Sequence, residues 1–308
     1  MFKFLTKQYA LDDLSEVKIS KKVIRVNTNK GKYIIKQVDD DSLDKLFLRL
    51  SLMHLTSFAL PLRGRNNLFV QEEDDKYYLV YNYYPDEALL GYDLKLSFYL
   101  KQIATLHANT YLSLNANDHF LESTLNYLDE QIKHLSDALL ARVEVIERND
   151  YHSPNDWYFL MNYQKYASSL EEASRHVLNL ENIVKKNKGL RLALTYQNFD
   201  FSHILLKQEK IISPEKMAYN FAPVDLVNLI SNLKLESLDI IPFIEEYLKI
   251  NPLNDYEKEY LMASLYIFEY HRYNDTLEDL NHLISISKYL DKVISLSNDV
   301  IFSSSSQE

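Results

Sequence analysis

The segment 194–230 carries polar residues whose spacing could support group-transfer chemistry. Asn198 and His203 lie five positions apart between two apolar runs, and Asn220 follows a third apolar run. In phosphoryl transfer, comparable positions hold an aspartate that orients or deprotonates the acceptor hydroxyl, an asparagine that binds magnesium and a second, metal-binding aspartate. The predicted order of strand, polar turn, strand, short strand and Asp-capped helix is that of a kinase catalytic segment, but neither aspartate is present.

These replacements weaken the expected chemistry. The amide of Asn198 cannot accept a proton as a carboxylate does, and the imidazole of His203 is a poor ligand for magnesium, which prefers oxygen. The Asn220 amide oxygen could bind a cation but adds no negative charge. Asp200 is the one carboxylate close to Asn198 in sequence and is a candidate replacement base. Alternatively, these loop residues only satisfy local backbone groups.

Three further residues have chemical potential. Lys36 lies in a strand-like run, YIIKQV, where it faces opposite to Ile35 and could contact nucleotide phosphates or remain an exposed strand lysine. Asp225 opens an apolar helical run and is predicted to be its N-cap, tying the polar turn to that helix. His107 has apolar helical neighbours, which favours a core histidine.

Composition excludes several classes of protein. The 308 residues are 46% hydrophobic and 25% charged, which fits a folded chain long enough for one large domain or two lobes. A formal net charge of -10 argues against a broad nucleic-acid-binding face. The absence of cysteine excludes thiolate chemistry and suits a cytoplasmic protein. No apolar run is long enough to span a membrane, and no signal peptide is recognisable.

The elements that must position these residues divide into two regions. Residues 1–84 are predicted to form a small antiparallel sheet with one helix at 41–56. A hairpin turns at the Asn-Lys-Gly of residues 29–31, and further strands are predicted at 68–71 and 77–81. Glycine-rich phosphate-binding motifs are absent from the whole sequence, which contains four glycines.

Residues 85–301 are mostly helical by pattern. Amphipathic helices are predicted at 93–112 and 122–147, and a third begins at Ser153-Pro154 with Ser153 as N-cap. Residues 121–190 are predicted to form a long helical hairpin that ends at Gly189. Further helices are predicted near 240–249, 254–272 and 276–297, and the tail 302–308 is predicted to be disordered.

The whole chain resembles the aminoglycoside/choline kinase-like superfamily, and within it the spore-coat-associated proteins of the CotS and YutH type. The pieces that carry the resemblance are GKYIIKQV, YYLVYNYYPDE, LKQIATLH, SPNDWYFLMNYQKYA, the segment 194–230 and NPLNDYEKEYLMASLYIFEYH. The resemblance implies an α+β, two-lobed, protein kinase-like fold with a small antiparallel β-sheet N-lobe and a large helical C-lobe.

The resemblance also assigns positions. The His-Gly-Asp of active members falls on residues 196–198, the following asparagine on His203 and the last aspartate on Asn220. A second register places that aspartate at Ser213. The resemblance implies that Lys36, His203 and Asn220 are the cofactor-binding positions and that Asn198 and Asp200 are degenerate catalytic-loop positions. No acidic residue of the helix 41–56 stands out as a partner for Lys36.

The leading hypothesis is a kinase-like pseudoenzyme that acts by binding or as a structural component. The alternatives are an atypical small-molecule kinase, which would use ATP and magnesium with Asp200 and Lys36, and a nucleotide-binding regulator without turnover. The implied partners are a spore-coat or other protein and a small molecule in the interlobe cleft. Nucleic acid and membrane partners are not expected, and the expected location is the cytoplasm or the spore coat.

Overall fold

The computed structural model describes residues 2–53, 55–85, 91–115, 119–233, 239–272 and 276–302. It is an α+β fold with a small antiparallel sheet near the N-terminus and a mostly helical remainder, as predicted. Its contacts define two compact units. The first unit comprises residues 1–102 and 200–217, and the second comprises residues 103–199 and 218–308. The lobe boundary at residue 84 stays a prediction.

The first unit contains a five-stranded antiparallel sheet in the order β1-β2-β3-β5-β4. Gly31 has a φ of 134°, so the turn between β2 and β3 uses a conformation that a side chain disfavours. This confirms the predicted hairpin. The strands are β1 (Asp13–Lys18), β2 (Val23–Thr28), β3 (Gly31–Val38), β4 (Gln71–Glu73) and β5 (Lys76–Asn82).

One face of this sheet is covered by the N-terminal segment. Val26, Ile35 and Val80, which alternate with the residues of the other face, pack against Phe4 and Leu5. All five side chains are at least 95% buried. Burial of these apolar groups fixes the register of the strands, because a slip of one residue would turn them to the opposite face.

Two predicted elements of the first unit are shorter than expected. The predicted helix 41–56 is α1 (Leu43–Leu52), and its Ser42 hydroxyl donates to Asp40 rather than capping the helix. The predicted strand 68–71 begins only at Gln71. The backbone N–H groups of Phe69 and Val70 donate to the Asp44 carboxylate instead of to a neighbouring strand.

The helices confirm the predicted pattern in the second region, with small shifts at their ends. They are α2 (Tyr92–Thr110), α3 (His119–Glu147), α4 (Pro154–Asn187), α5 (Val224–Asn232), α6 (Ile241–Ile250), α7 (Asp255–Tyr266) and α8 (Leu277–Leu296). No helix among the described residues is long and apolar enough to cross a membrane. The tail 302–308 was predicted to be disordered, but the ring of Phe302 stacks on His176 with centroids 5.8 Å apart. Residues 303–308 lie outside the described residues.

The start of α4 is as predicted, and its end is not. Ser153 accepts a hydrogen bond from the Asp156 N–H while the Asp156 carboxylate accepts one from the Ser153 N–H, which forms a capping box. Pro154 occupies the first helical position. At the other end the left-handed residue is Lys188, with φ 56°, and Gly189 already begins the next strand. The prediction that Gly189 ends the hairpin is wrong by one residue.

The segment 194–230 contains the end of one strand and three further short strands. In the second unit, β7 (Gly189–Thr195) lies between β6 (Leu112–Asn115) and β10 (Ala218–Asn220) in a three-stranded antiparallel sheet. In the first unit, β8 (Ile204–Leu205) and β9 (Lys210–Ile211) form a small hairpin. The predicted order of strand, polar turn, strand, short strand and helix is therefore present.

Candidate functional site

Lys36 lies on β3 of the first unit and is paired with a carboxylate. Its ammonium is 2.9 Å from Oε2 of Glu215, and the Tyr81 hydroxyl donates to Oε1 of the same carboxylate at 2.7 Å. The side chains of Lys36 and Glu215 are 27% and 10% exposed. Lys36 is therefore neither a free strand lysine nor a partner of the helix α1. Oε1 of Glu215 accepts a hydrogen bond, whereas Oε2 is buried without one and contacts Lys36 as an ion pair only.

The sequence did not predict Glu215 as the partner of Lys36. It lies in a 3-10 turn, Pro214–Lys216, between β9 and β10. The turn follows Ser213, which has a left-handed backbone with φ 60°. Left-handed backbone at a non-glycine residue is costly and recurs at functional sites. In the second register of the resemblance, the last aspartate falls on Ser213. Glu215 lies two residues further along the chain, so this register was the one sequence signal that pointed to the region of Glu215.

Asn220 occupies a different environment. It is the last residue of β10, opposite Ala193 of β7 in the second unit. Its side-chain oxygen accepts a hydrogen bond from the backbone N–H of Phe221 at 2.8 Å. The aromatic ring after it, Phe221, is fully buried in the core. The cofactor-binding role of Asn220 stays a prediction.

Asp200 and His203 form one turn in the first unit. Asp200 precedes a 3-10 turn, Phe201–His203, and its Oδ1 accepts the Ser202 N–H at 2.7 Å. The Ser202 side chain, the Ser202 backbone and the nearby charges of His203 and Lys95 hold the pKa of Asp200 below its usual value. Asp200 is therefore an ionised cap of this turn, and its lowered pKa makes it a weaker base.

Lys95 is a second residue near this segment that the sequence did not predict. It lies in the first turn of α2, is 8% exposed and donates from Nζ to the Phe201 carbonyl oxygen at 2.9 Å. The Tyr92 ring, also in this turn, contacts the Phe201 ring edge-to-face with centroids 4.7 Å apart. A buried lysine beside Asp200 supplies a fixed positive charge to the turn that contains His203. No sequence motif marks it.

Asn198 belongs to the polar turn after β7 in the second unit. The preceding residue, Gln197, has a left-handed backbone with φ 57°, at the position where the resemblance places glycine. The backbone N–H groups of Tyr196 and Gln197 each donate to the Asp225 carboxylate at 2.7 Å. The turn is therefore held by Asp225, and the catalytic assignment of Asn198 stays a prediction.

Asp225 performs half of its predicted role. It ties the turn to the helix below, but the N-cap of α5 is Pro223, and Asp225 lies inside the first helical turn. Its oxygens are occupied by two backbone donors and by Nε2 of His107 at 3.0 Å, so its carboxylate serves the turn instead of the helix end.

His107 is the core histidine that its neighbours predicted. It is fully buried, and its two ring nitrogens contact Asp225 and the Tyr247 hydroxyl at 3.0 and 2.7 Å. Asn251 donates to the same Tyr247 oxygen at 2.8 Å and accepts from Tyr111 at 2.9 Å. This chain of hydrogen bonds fixes the polar turn from within the core of the second unit.

A cavity of about 510 Å³ in the first unit does not include any predicted site residue. It lies between the N-terminal segment and β4. Its lining residues are Lys3, Phe4, Lys7, Gln8, Asp41, Asn66, Leu68, Val70, Gln71, Glu72, Glu73 and Tyr77.

The donor set does not fit magnesium, which the resemblance implies for active members. Magnesium requires near-octahedral oxygen ligands and is usually held by one or two carboxylates. The Glu215 carboxylate is engaged by Lys36 and Tyr81, and Asp200 caps a turn. Across the described ranges, no group of three or more histidine, cysteine, aspartate or glutamate side chains is arranged to hold a metal ion.

The small antiparallel sheet and the helical remainder match the aminoglycoside kinase-like fold. Solved structures with this fold include an aminoglycoside phosphotransferase from Alicyclobacillus acidocaldarius. It is 11% identical, with a TM-score of 0.64 over 93% of this chain and 91% of that chain. The AMP-bound spectinomycin phosphotransferase APH(9)-Ia is 14% identical, with a TM-score of 0.52 over 99% and 97%. No family model and no curated protein matches the sequence.

Proposed function

We propose that the protein is a kinase-like protein impaired in phosphoryl transfer, which acts by binding or as a structural component. The observation that carries the proposal is the 2.9 Å ion pair between Lys36 and Glu215, whose second oxygen accepts from Tyr81. Phosphoryl transfer depends on cations that neutralise the phosphate charge. A lysine–glutamate ion pair is itself part of a protein-kinase site, where the glutamate lies on a helix. Here the carboxylate comes from the turn Pro214–Lys216 and not from α1, so the support for the proposal lies in the altered partner of Lys36.

The catalytic turn supports the same proposal. Its first position holds Asn198, whose amide cannot act as a general base. The nearest carboxylate along the chain, Asp200, caps the following turn and has a lowered pKa. We therefore propose that five residues are remnants of a phosphotransfer site: Lys36, Asn198, Asp200, His203 and Asn220.

A second candidate is an atypical ATP-dependent phosphotransferase acting on a small-molecule hydroxyl. The fold shared with aminoglycoside phosphotransferases favours it. In that case Asp200 would orient or deprotonate the acceptor and Lys36 would contact nucleotide phosphates. The donor set described above argues against a magnesium-dependent version of this reaction.

Phosphotransfer assays with ATP and magnesium on a panel of small alcohols and aminoglycosides test the two candidates. The proposal predicts no turnover above a no-protein control. Turnover that is lost in Asp200→Asn, but kept in the matched surface variant Asp255→Asn, would establish the phosphotransferase instead. A folded triple variant, Asn198→Asp with His203→Asn and Ser213→Asp, is expected to gain nucleotide binding if these positions descend from a catalytic segment. The same variant carrying Asn220→Asp in place of Ser213→Asp tests the other register.

The resemblance to the CotS and YutH type extends the proposal to location and partners. We propose a cytoplasmic or spore-coat protein whose partner is another protein or a small molecule. Fluorescent tagging in a sporulating host tests the coat assignment. A tagged protein that stays diffuse through sporulation would contradict it, without bearing on phosphotransfer.

A further inference from the structure

The face of the first-unit sheet that carries Lys36 also carries two other cations. Strand pairing places Val23 opposite Lys36, Arg25 opposite Ile34 and Asn27 opposite Lys32. Directly paired residues of an antiparallel sheet point to the same face, and residues two apart along a strand share that face. Arg25 and Lys32 therefore lie on the Lys36 face, as diagonal neighbours on adjacent strands.

Both cations lie against one aromatic ring. The Arg25 guanidinium is 5.4 Å from the centroid of the Tyr83 ring, and the Lys32 ammonium is 5.9 Å from it. In the part of the chain that the structure describes, neither side chain forms a hydrogen bond or an ion pair. Like charges on neighbouring strands repel unless an anion compensates them.

Two buried polar atoms beside these cations have no partner. Nε of Arg25 and Oδ1 of Asn27 are both buried and unbonded, whereas Nδ2 of Asn27 donates to Ser15 at 2.6 Å. Reversing the Asn27 amide would still leave one of its polar atoms unpaired, because Ser15 satisfies only one. An unsatisfied buried donor or acceptor is destabilising, and a bound group that accepts from Arg25 would offset that cost.

On this face, among the described residues, the positive charge without an ion-pair partner is not at Lys36, as it would be in a phosphate site centred on that lysine. Lys36 is neutralised by Glu215, and the unbalanced positive charge lies at Arg25 and Lys32. The Nε and Nη groups of a guanidinium form a fork that binds a carboxylate or phosphate through two hydrogen bonds. Val17, directly opposite Arg25 on β1, is 42% exposed and offers an apolar surface next to the fork.

We propose that Arg25, Asn27 and Lys32 form an anion-binding site beside Tyr83, and that its ligand is a small organic molecule with a carboxylate or phosphate group and an apolar body. Arg25 binds the oxyanion through its fork, Lys32 adds charge, and the apolar body lies against Val17. This site does not depend on phosphoryl transfer, so the inference goes beyond the proposed function.

The test is direct binding of phenyl phosphate and of benzoate to the intact chain, measured by calorimetry at low ionic strength. The two probes distinguish a phosphate from a carboxylate ligand, and binding of at least one is expected. Arg25→Gln is expected to weaken it about tenfold or more, since one charge-assisted bidentate contact is worth at least 1.4 kcal/mol. Arg25→Lys keeps the charge and loses the fork, and should give an intermediate loss.

Two further variants locate the site. Lys30→Gln removes an exposed charge from the turn of the same hairpin and should leave binding within about twofold, because a rim charge contributes little. Lys36→Met tests whether the anion binds at Lys36 instead. The inference is overturned if neither probe binds, if folded Arg25→Gln binds as tightly as the wild type, or if Lys36→Met abolishes binding while Arg25→Gln does not. None of these outcomes changes the expected absence of turnover.

Discussion

The ammonium of Lys36 and the carboxylate of Glu215 lie 2.9 Å apart, although 179 positions separate them in the sequence. A lysine on the third strand of a kinase-like sheet is here balanced by the turn after β9. The pair is mostly buried and includes the Tyr81 hydroxyl as a third member. It joins the sheet to the segment 200–217 within the first unit.

This pair should be measurable as a coupling energy. Glu215→Gln is expected to lower the free energy of unfolding by about 1–3 kcal/mol, because it leaves the largely buried Lys36 ammonium without its ion-pair partner. The Tyr81 hydroxyl can still donate to the new amide, so the loss arises mainly at Lys36. Urea unfolding of Glu215→Gln, Lys36→Met and the double variant gives the coupling, expected at about 1 kcal/mol or more.

Glu245→Gln is the matched control, because Glu245 is exposed on α6. It should change stability by less than about 0.5 kcal/mol. Additive losses in the double variant would show that Lys36 and Glu215 do not interact in solution.

Asp225→Asn should destabilise the second unit by about 2–4 kcal/mol, since the carboxylate holds two backbone donors and His107. An amide retains one acceptor oxygen and turns its other group into a donor that meets a backbone N–H. Asp255→Asn makes the same change in the first turn of α7, at an exposed position, and should cost less than about 1 kcal/mol. Equal losses in the two variants, measured by urea unfolding, would contradict the role assigned to Asp225.

The sequence predicted the elements better than the contacts that join them. Apolar periodicity located every long helix, and Ser153-Pro154 located the start of α4, because these signals are local. The partner of Lys36 was not predictable in this way. Glu215 lies in a turn without periodicity, and it reaches Lys36 only because the strands β3 and β9 belong to one unit.

Lys95 shows the same limit. Its position in an apolar helical pattern gives no sign that its ammonium is buried against the carbonyl of Phe201. Asp225 was recognised as a link between turn and helix, since a carboxylate at a helix start is a local signal. Its contact with His107, 118 positions away, arises because α2 packs against the turn. Neither the pattern around Asp225 nor the pattern around His107 predicts this contact.

The stability of the second unit should depend on pH through His282. Burial and the neighbouring His271 hold the pKa of His282 below its ordinary value of 6.5, and these effects outweigh the acidic Glu269 and Asp279. The unfolded chain therefore binds a proton more readily than the folded chain. Stability should be complete above pH 6.5 and should fall as the pH decreases through that value.

His282→Gln removes this titration and should flatten the plot of unfolding free energy against pH between 7 and 5. His134→Gln, at an exposed position on α3, is the control and should leave the slope unchanged. A wild-type slope in His282→Gln would mean that other groups produce the acid sensitivity.

Lys95→Met should loosen the turn that contains Asp200 and His203. The substitution keeps the length and apolar contacts of the side chain but removes the bond to the Phe201 carbonyl and one positive charge near Asp200. Loss of the bond should cost about 1–3 kcal/mol, because a buried acceptor is left unsatisfied.

Loss of the charge should raise the pKa of Asp200, since a nearby cation favours the ionised carboxylate. Carbon-detected NMR titration of the aspartate carboxyl groups measures that shift, with the exposed Lys45→Met of α1 as control. If the pKa of Asp200 stays at its wild-type value in folded Lys95→Met, Lys95 does not influence the ionisation of Asp200.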